Sequence, residues 1–414
     1  MIKYSPDSLL YLLQVLYPEW LDKIKPTDVD LSPFSIDLIK SYLDMDWEAL
    51  PEEPSIYNDF LRIMALLPNR EIPCQPDNPV AVILAGGRGT RMGENVKQKS
   101  LCPILGKPAL LRSIEMYREF GVEHFIIIVG SGYKDVVACL GADTPNITYL
   151  LQEEQLGTGH AARLAARYLC HAGYRGSVLV TMGDKYITHH GLRELIPKNP
   201  VNPDEQPDLS LVTASKQAWP DSGRVVMDEK DRVRAVIERP DLVQRQLIAD
   251  FYQWPENPVP CKTFRDHAID MWDRPKKLRK ILGDSFWDGL DQQDSILKEK
   301  ACFPIEKDQL EFEISDSIRL TASTIEEQCH QVNISVYIFV AQAFYESTDR
   351  LTSNNAQGEI YLTDAVLDLT SHHHSDDYHV KAVLMPGDYD VMGFNTLEEL
   401  DQIEHQLSIS VQIT

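Results

Sequence analysis

Glycines crowd into positions 86, 87 and 89, and the cations Arg88, Arg91, Lys97 and Lys99 lie in or just beyond them, with Glu94 as the one opposing charge. Glycine permits positive φ and close backbone approach, so successive N–H groups can turn toward a single anion. With that much positive charge beside it, the loop suits a polyphosphate. The spacing is not G-x-G-x-x-G, and no G-x-x-x-x-G-K-[ST] occurs, because Lys107 is followed by Pro108. A solvated basic turn is the alternative reading, and the rest of the chain must decide.

The loop needs a rigid support. Ala81–Ala85 is apolar without alternation and stops at glycine, which predicts a strand buried on both faces. Buried strands and helices then alternate: a helix near Ala109–Phe120, the strand "FIIIVG", a helix near Tyr133–Leu140, "ITYLL", a helix at Thr158–Leu169 and "SVLVTMGD". This order implies a parallel sheet with right-handed crossovers and ligands beyond the carboxyl ends of its strands, where "GGRG" and "MGDKY" both fall. Strand-like segments continue as "DLSLVTAS", "GRVVMDE" and "RVRAVIER". The pattern changes after Glu238, where residues 240–332 mix charge, tryptophan and proline like an inserted subdomain. "NISVYIFVA" resumes strand character at Asn333, and helices are expected at Glu359–Leu369 and in "FNTLEELDQIEHQL". Residues 1–78 carry apolar residues at helical spacing broken by proline links, as expected of a helical N-terminal appendage.

With 414 residues the chain can bury a large core. A net charge of −23 argues against nucleic acid or an anionic membrane as the main partner. The seven cysteines (74, 102, 139, 170, 261, 302 and 329) are odd in number and form no C-x-x-C, which suggests a reducing compartment. The beginning does not read as a signal peptide and no apolar run is long enough to cross a membrane, so a cytoplasmic location is expected. Hexapeptide β-helix periodicity is absent.

"LAGGRGTRM", "KSLCPILGKP", "QEEQLGTGHAA", "MGD", "SGRV", "VIER", "NNAQGEIYLTDAV" and "VMGFNTLEEL" occur in the order found in sugar-nucleotide pyrophosphorylases. The chain resembles in particular the uridylyltransferase domain of bacterial N-acetylglucosamine-1-phosphate uridylyltransferase, over about 80–239 and 333–405. The resemblance implies an α/β, Rossmann-like (GT-A-like) nucleotidyltransferase fold with a mixed, mainly parallel sheet and helices on both faces. The expected organisation is a helical appendage (1–78), a nucleotidyltransferase domain (79–239 and 333–414) and an inserted subdomain (240–332). The lack of hexapeptide repeats implies no acetyltransferase half.

The implied reaction is attack of a sugar-1-phosphate oxygen on the α-phosphorus of UTP, with loss of pyrophosphate, Mg²⁺ as cofactor and a UDP-N-acetylhexosamine as product. The nucleophile is already anionic, so catalysis is mostly positioning and charge neutralisation. By match to the motifs, Leu84, Ala85, Gly86 and Gly87 cradle base and ribose, Arg91 holds the departing phosphates and Lys99 meets the α-phosphate. Gln152 matches the residue that reads the uracil edge, with Gly157, Thr158 and Gly183 beside the nucleotide. An amide offers both the donor and the acceptor that this edge requires. Asp184 and Asn395 match the protein ligands of Mg²⁺. Gly223, Glu238 and Asn333 match the positions that contact the sugar. Alternative readings are another nucleotide or phosphorylated acceptor, or a sugar-nucleotide sensor without turnover, although the metal pair and the lysine favour an enzyme.

The chain departs from the family pattern at Met182 and Lys185, on either side of "GD", and at Ile334–Ser335 after Asn333, which bears on selectivity rather than phosphate chemistry. In the insertion, Phe251, Tyr252, Trp254, Phe264, Trp272 and Trp287 could stack on a sugar or form the subdomain's own core. Cys261, His267, Cys302, Cys329 and His330 fit no standard zinc spacing and read as ordinary thiols and surface histidines. His372–His374 is expected in an exposed loop, and His160 is expected to pack in the first turn of a helix.

Overall fold

The computed structural model of the protein describes residues 79–87, 98–130, 132–141, 144, 146–152, 154–196, 206–315, 318–371, 378–387 and 389–413. The expected appendage, Arg88, Arg91, Lys97 and His372–His374 lie outside them. The chain divides into two compact units: Met1–Ser210 with Ser335–Arg350 and Met385–Thr414, and Leu211–Ile334 with Leu351–Leu384.

The first unit is organised by a sheet. Val80–Ala85 is buried at every position, because it has neighbours on both sides. It pairs in parallel with His124–Val129, from Val80 opposite His124 to Ala85 opposite Val129, and with Ser177–Met182. His124–Val129 pairs in parallel with Ile147–Leu151. The strand Gln331–Val340 contributes its second half to this unit, antiparallel to Ser177–Met182, with Val336 opposite Thr181 and Val340 opposite Ser177. The sheet is therefore mixed and mainly parallel, the Rossmann-like arrangement expected from the motifs. From Val80–Ala85 the chain builds outward on one side and then crosses back to Ser177–Met182 on the other. Such a reversal leaves a crevice beyond the carboxyl ends of the two strands, after Ala85 and Met182.

Helix patterning follows the same logic. Thr158–His171 buries Ala161, Ala162, Leu164, Ala165, Ala166, Tyr168 and Leu169, a stripe at helical spacing whose small side chains let it pack closely against Val80–Ala85 and His124–Val129. Ala341–Arg350 packs beside it and also meets Ser177–Met182, and Arg163 Nε donates to the Thr348 carbonyl at 2.8 Å. A short ribbon pairs Lys185–Ile187 with Val391–Gly393, Gly393 opposite Lys185.

In the second unit, Arg224–Met227 and Val233–Ile237 form an antiparallel hairpin. Helices Arg239–Gln253, Cys261–Met271, Pro275–Leu282 and Asp284–Gln292 follow. They enclose a core of their own in which Phe251 and Phe264 are fully buried and Trp287 is 4% exposed. The Phe251 ring meets Phe264, Phe286 and Phe303 edge-on at centroid distances of 5.1, 5.3 and 5.3 Å. Of the two roles open to the insertion aromatics, these take the core role. The helix expected at Glu359–Leu369 begins later, spanning Asp364–Thr370. The Asn355 side chain accepts from the N–H groups of Gln357 and Glu359, both at 3.2 Å, and Gly358 adopts φ +62°, so this segment is held as a loop. Among the described residues no helix is long and apolar enough to cross a membrane.

Candidate functional site

The crevice of the first unit begins with close backbone packing. Gly183 N–H donates to the Leu84 carbonyl at 2.9 Å. A Cβ at Gly183 would lie 3.0 Å from Ser100 Cβ and 3.2 Å from Ala85 Cβ, so only glycine fits without displacement. Gly86 abuts Gly130, and a Cβ on Gly86 would lie 3.0 Å from Gln152 Oε1. The carbonyl of Gly86 accepts from Gln155 Nε2. Gln152 is buried. Its backbone N–H donates to Val129 O at 2.8 Å, its Nε2 donates to Gly157 O at 3.0 Å, and that nitrogen stands 3.3 Å from His160 Nδ1. Gly157 adopts φ +117° at the start of Thr158–His171, a conformation that favours glycine. Leu84, Ala85, Gly86, Gln152, Gly157, Thr158 and Gly183 are thus brought to one end of the sheet, whereas Gly87 is exposed and Arg91 lies outside the described residues.

Across the same end runs a charged cluster. Lys99 Nζ donates to Asp184 Oδ2 and, at 2.9 Å, to Asn395 Oδ1. The ribbon between Lys185–Ile187 and Val391–Gly393 is what brings two residues so distant in sequence together. Asn395 N–H donates to the Glu399 carboxylate, which orients the loop. Lys185 lies in this cluster too: burial lowers its ammonium pKa, and so does Lys99, while Asp184 and Glu399 oppose them. Its side chain crosses Gly393, where a Cβ would come within 2.8 Å of Lys185 Nζ.

The pair Asp184 and Asn395 fits a divalent ion on two observations. Their oxygens already hold a cation, the Lys99 ammonium, and Asp184 Oδ1 is buried without a hydrogen-bond partner. A carboxylate and an amide oxygen are hard donors of the kind Mg²⁺ takes, with phosphate oxygens and water completing the shell. Among the described residues no cluster of three or more His, Cys, Asp or Glu side chains could hold a metal. Cys261 and Cys329 are buried thiols and Cys302 is exposed.

The residues matched to sugar binding gather in the second unit. Asn333 N–H donates to the Gly223 carbonyl at 2.8 Å, and a Cβ on Gly223 would lie 3.2 Å from Glu238 Oε1. Burial pushes the Glu238 carboxyl up to about 7, with Asp241 adding to the shift and Thr363, Lys277 and Arg224 opposing it. Asp364 is likewise pushed up to about 7 by burial, then by Asp241 and Glu238. Asp241 Oδ1 accepts from Ala356 N–H at 2.8 Å. Arg224, buried beside Gly223, forms a two-pronged pair with Glu326, Nε to Oε2 at 2.8 Å and Nη2 to Oε1 at 2.9 Å, and this holds the glycine loop in place.

The sequence motifs assign no role to Gln98, Arg224, Asp241, Thr363 or Asp364. Gln98 is buried, with its Nε2 donating to Ala85 O. The only sequence signal for the others is proximity to quoted strings: Arg224 in "SGRV", Asp241 just after "VIER", Thr363 and Asp364 inside "NNAQGEIYLTDAV".

Residues 81–218 match the MobA-like NTP transferase domain. The bifunctional protein GlmU of an Exiguobacterium species is 38% identical over 168 residues, covering 40% of this chain and 35% of that protein. GlmU of Pseudomonas aeruginosa is 37% identical over 169 residues, again 40% and 35%. The chain thus spans about a third of the length of the curated relatives it matches. The solved structure of HddC from Yersinia pseudotuberculosis is similar over 80% of this chain and 99% of that one, at 14% identity and a TM-score of 0.42.

Proposed function

We propose, from the premise that residues 81–218 form a MobA-like NTP transferase domain, that the chain transfers a uridylyl group from UTP to a sugar 1-phosphate, most simply an N-acetylhexosamine 1-phosphate, and releases pyrophosphate. The observation that carries this reading is the Lys99 ammonium held by Asp184 and Asn395 at the carboxyl end of the sheet.

In the proposed step an acceptor phosphate oxygen forms the new bond to the α-phosphorus. The bond from that phosphorus to the bridging oxygen breaks, its electron pair leaving with pyrophosphate. No proton need be removed from the nucleophile, so the residues' task is to place two anions together and offset their repulsion. Lys99 supplies a mobile cation for the α-phosphate and Lys185 a second positive charge beside it. Gln152, held by Gly157 and close against Gly86, offers its amide to the edge of the base. Glu238, Gly223 and Asn333 bind the sugar. Mg²⁺, held by Asp184 and Asn395, would neutralise phosphate charge and orient its oxygens.

The test is a matrix of nucleoside triphosphates against phosphorylated acceptors, scored by pyrophosphate release. UTP with N-acetylglucosamine 1-phosphate is expected to lead. A clear preference for another base or acceptor would replace that assignment, and no release from any pair would overturn the enzymatic reading.

A further inference from the structure

The residues proposed to bind sugar sit against the insertion, and specific contacts join them. Arg274 Nη2 meets Asp221 Oδ2 at 2.5 Å, tying the start of the helix Pro275–Leu282 to the loop that carries Gly223. Lys280, on that helix, stands 3.5 Å from Glu359 of the "NNAQGEIYLTD" segment. Ala356 of the same segment packs on the insertion's aromatic core and donates to Asp241 at 2.8 Å. Between the Arg274 and Lys280 ties lies Lys277, with Nζ 5.5 Å from the centroid of the Trp272 ring, close enough to Glu238 to act on its carboxyl.

We propose that Lys277 is a specificity-determining residue for the phosphorylated acceptor, donating to a neutral oxygen of the sugar, an acyl carbonyl or a ring hydroxyl, beside Glu238. The inference rests on the nucleotidyltransferase reading above. An ammonium is donor-only, so it complements a carboxyl that can accept from the same sugar. Glu238, the carboxyl that Lys277 acts on, is grouped with Asp241 and Asp364, which makes a further anionic substituent on the acceptor unfavourable there and a neutral oxygen the matching group. The Trp272 face beneath the lysine restrains where its head can go. The insertion therefore contributes to acceptor choice through a helix whose start is tied to the loop that carries Gly223 and whose Lys280 faces Glu359, while its aromatics maintain that helix from within.

The experiment compares the full-length protein with Lys277→Met and Lys277→Arg, using N-acetylglucosamine 1-phosphate and glucose 1-phosphate as acceptors. Loss of a charge-assisted hydrogen bond should raise acceptor KM by about tenfold or more, with kcat and nucleotide KM nearly unchanged and partial recovery in the arginine variant. A rise confined to the acetylated acceptor identifies the carbonyl, and an equal rise for both identifies a hydroxyl. A folded Lys277→Met protein with unchanged acceptor KM and unchanged preference overturns the inference. Should the parent release no pyrophosphate with any pair, the reaction reading fails on its own account. Lys277 is then judged by calorimetric binding of N-acetylglucosamine 1-phosphate, where equal affinity of parent and variant, or no binding to the parent, overturns the proposal.

Discussion

Lys99→Met should let a divalent ion bind without nucleotide. In the protein the Lys99 ammonium fills the space between Asp184 Oδ2 and Asn395 Oδ1, so an ion that takes those oxygens must first displace it. The side chains of Lys99 and Asp184 are only 14% and 22% exposed, which keeps salt from screening the pair as it would at a surface. Hydrogen bonds to charged groups contribute about 1.5–3 kcal/mol, and a factor of ten in affinity corresponds to about 1.4 kcal/mol. Removing the ammonium should therefore tighten Mn²⁺ binding to nucleotide-free protein by about 10- to 100-fold, while turnover falls by about 10²–10³ because the α-phosphate loses its cation. Mn²⁺ titration followed by electron paramagnetic resonance, with calorimetry as a cross-check, measures the first quantity. Unchanged Mn²⁺ affinity in a folded variant would refute a shared position for lysine and ion, and near-native turnover would refute the α-phosphate role.

Further outcomes follow from the same geometry. Asp184→Asn and Asn395→Ala should each raise the Mg²⁺ concentration needed for half-maximal rate, and the double variant should lose less than the sum of the two changes, as the proposed sharing of one ion requires; additive losses in the steady-state cycle contradict this. Gly130→Ala puts a methyl against the Gly86 carbonyl and 3.1 Å from Gln155 Nε2, so it should cost about 1–3 kcal/mol by denaturant unfolding and weaken UTP binding, and a neutral result would mean that the loop yields easily. The raised Glu238 carboxyl makes stability pH-dependent: the folded protein keeps a proton that the unfolded chain loses, so this contribution is complete below the ordinary carboxyl range and fades as pH rises through about 7. Over that window the parent should lose on the order of 2–3 kcal/mol more than Glu238→Gln; parallel pH profiles of unfolding for the two proteins would show that Glu238 titrates normally.

The pattern of residues determined much of the first unit. Continuous apolar runs such as Val80–Ala85 and His124–Val129 can be stable only as strands covered on both faces, and glycine at their ends marks where the chain turns. Lys99, Gln152, Asp184 and Asn395 were legible as candidates only through the resemblance of the strings around them to a known family, since a lone lysine, amide or carboxylate carries no such signal. Tertiary structure decided what those residues touch. That Lys99 spans Asp184 and Asn395 depends on a ribbon pairing Gly393 with Lys185, a non-local contact with no local signature. Burial is likewise a property of the whole fold: Phe251 and Trp287 are as able to stack on a sugar as to fill a core, and only the packing of four helices around them assigned the core role. The carboxyl cluster of Glu238, Asp241 and Asp364 was not visible as a cluster, because its members lie on a helix cap, the helix that follows and a distant helix start. Their altered proton affinity comes from being enclosed together, which no spacing along the chain encodes.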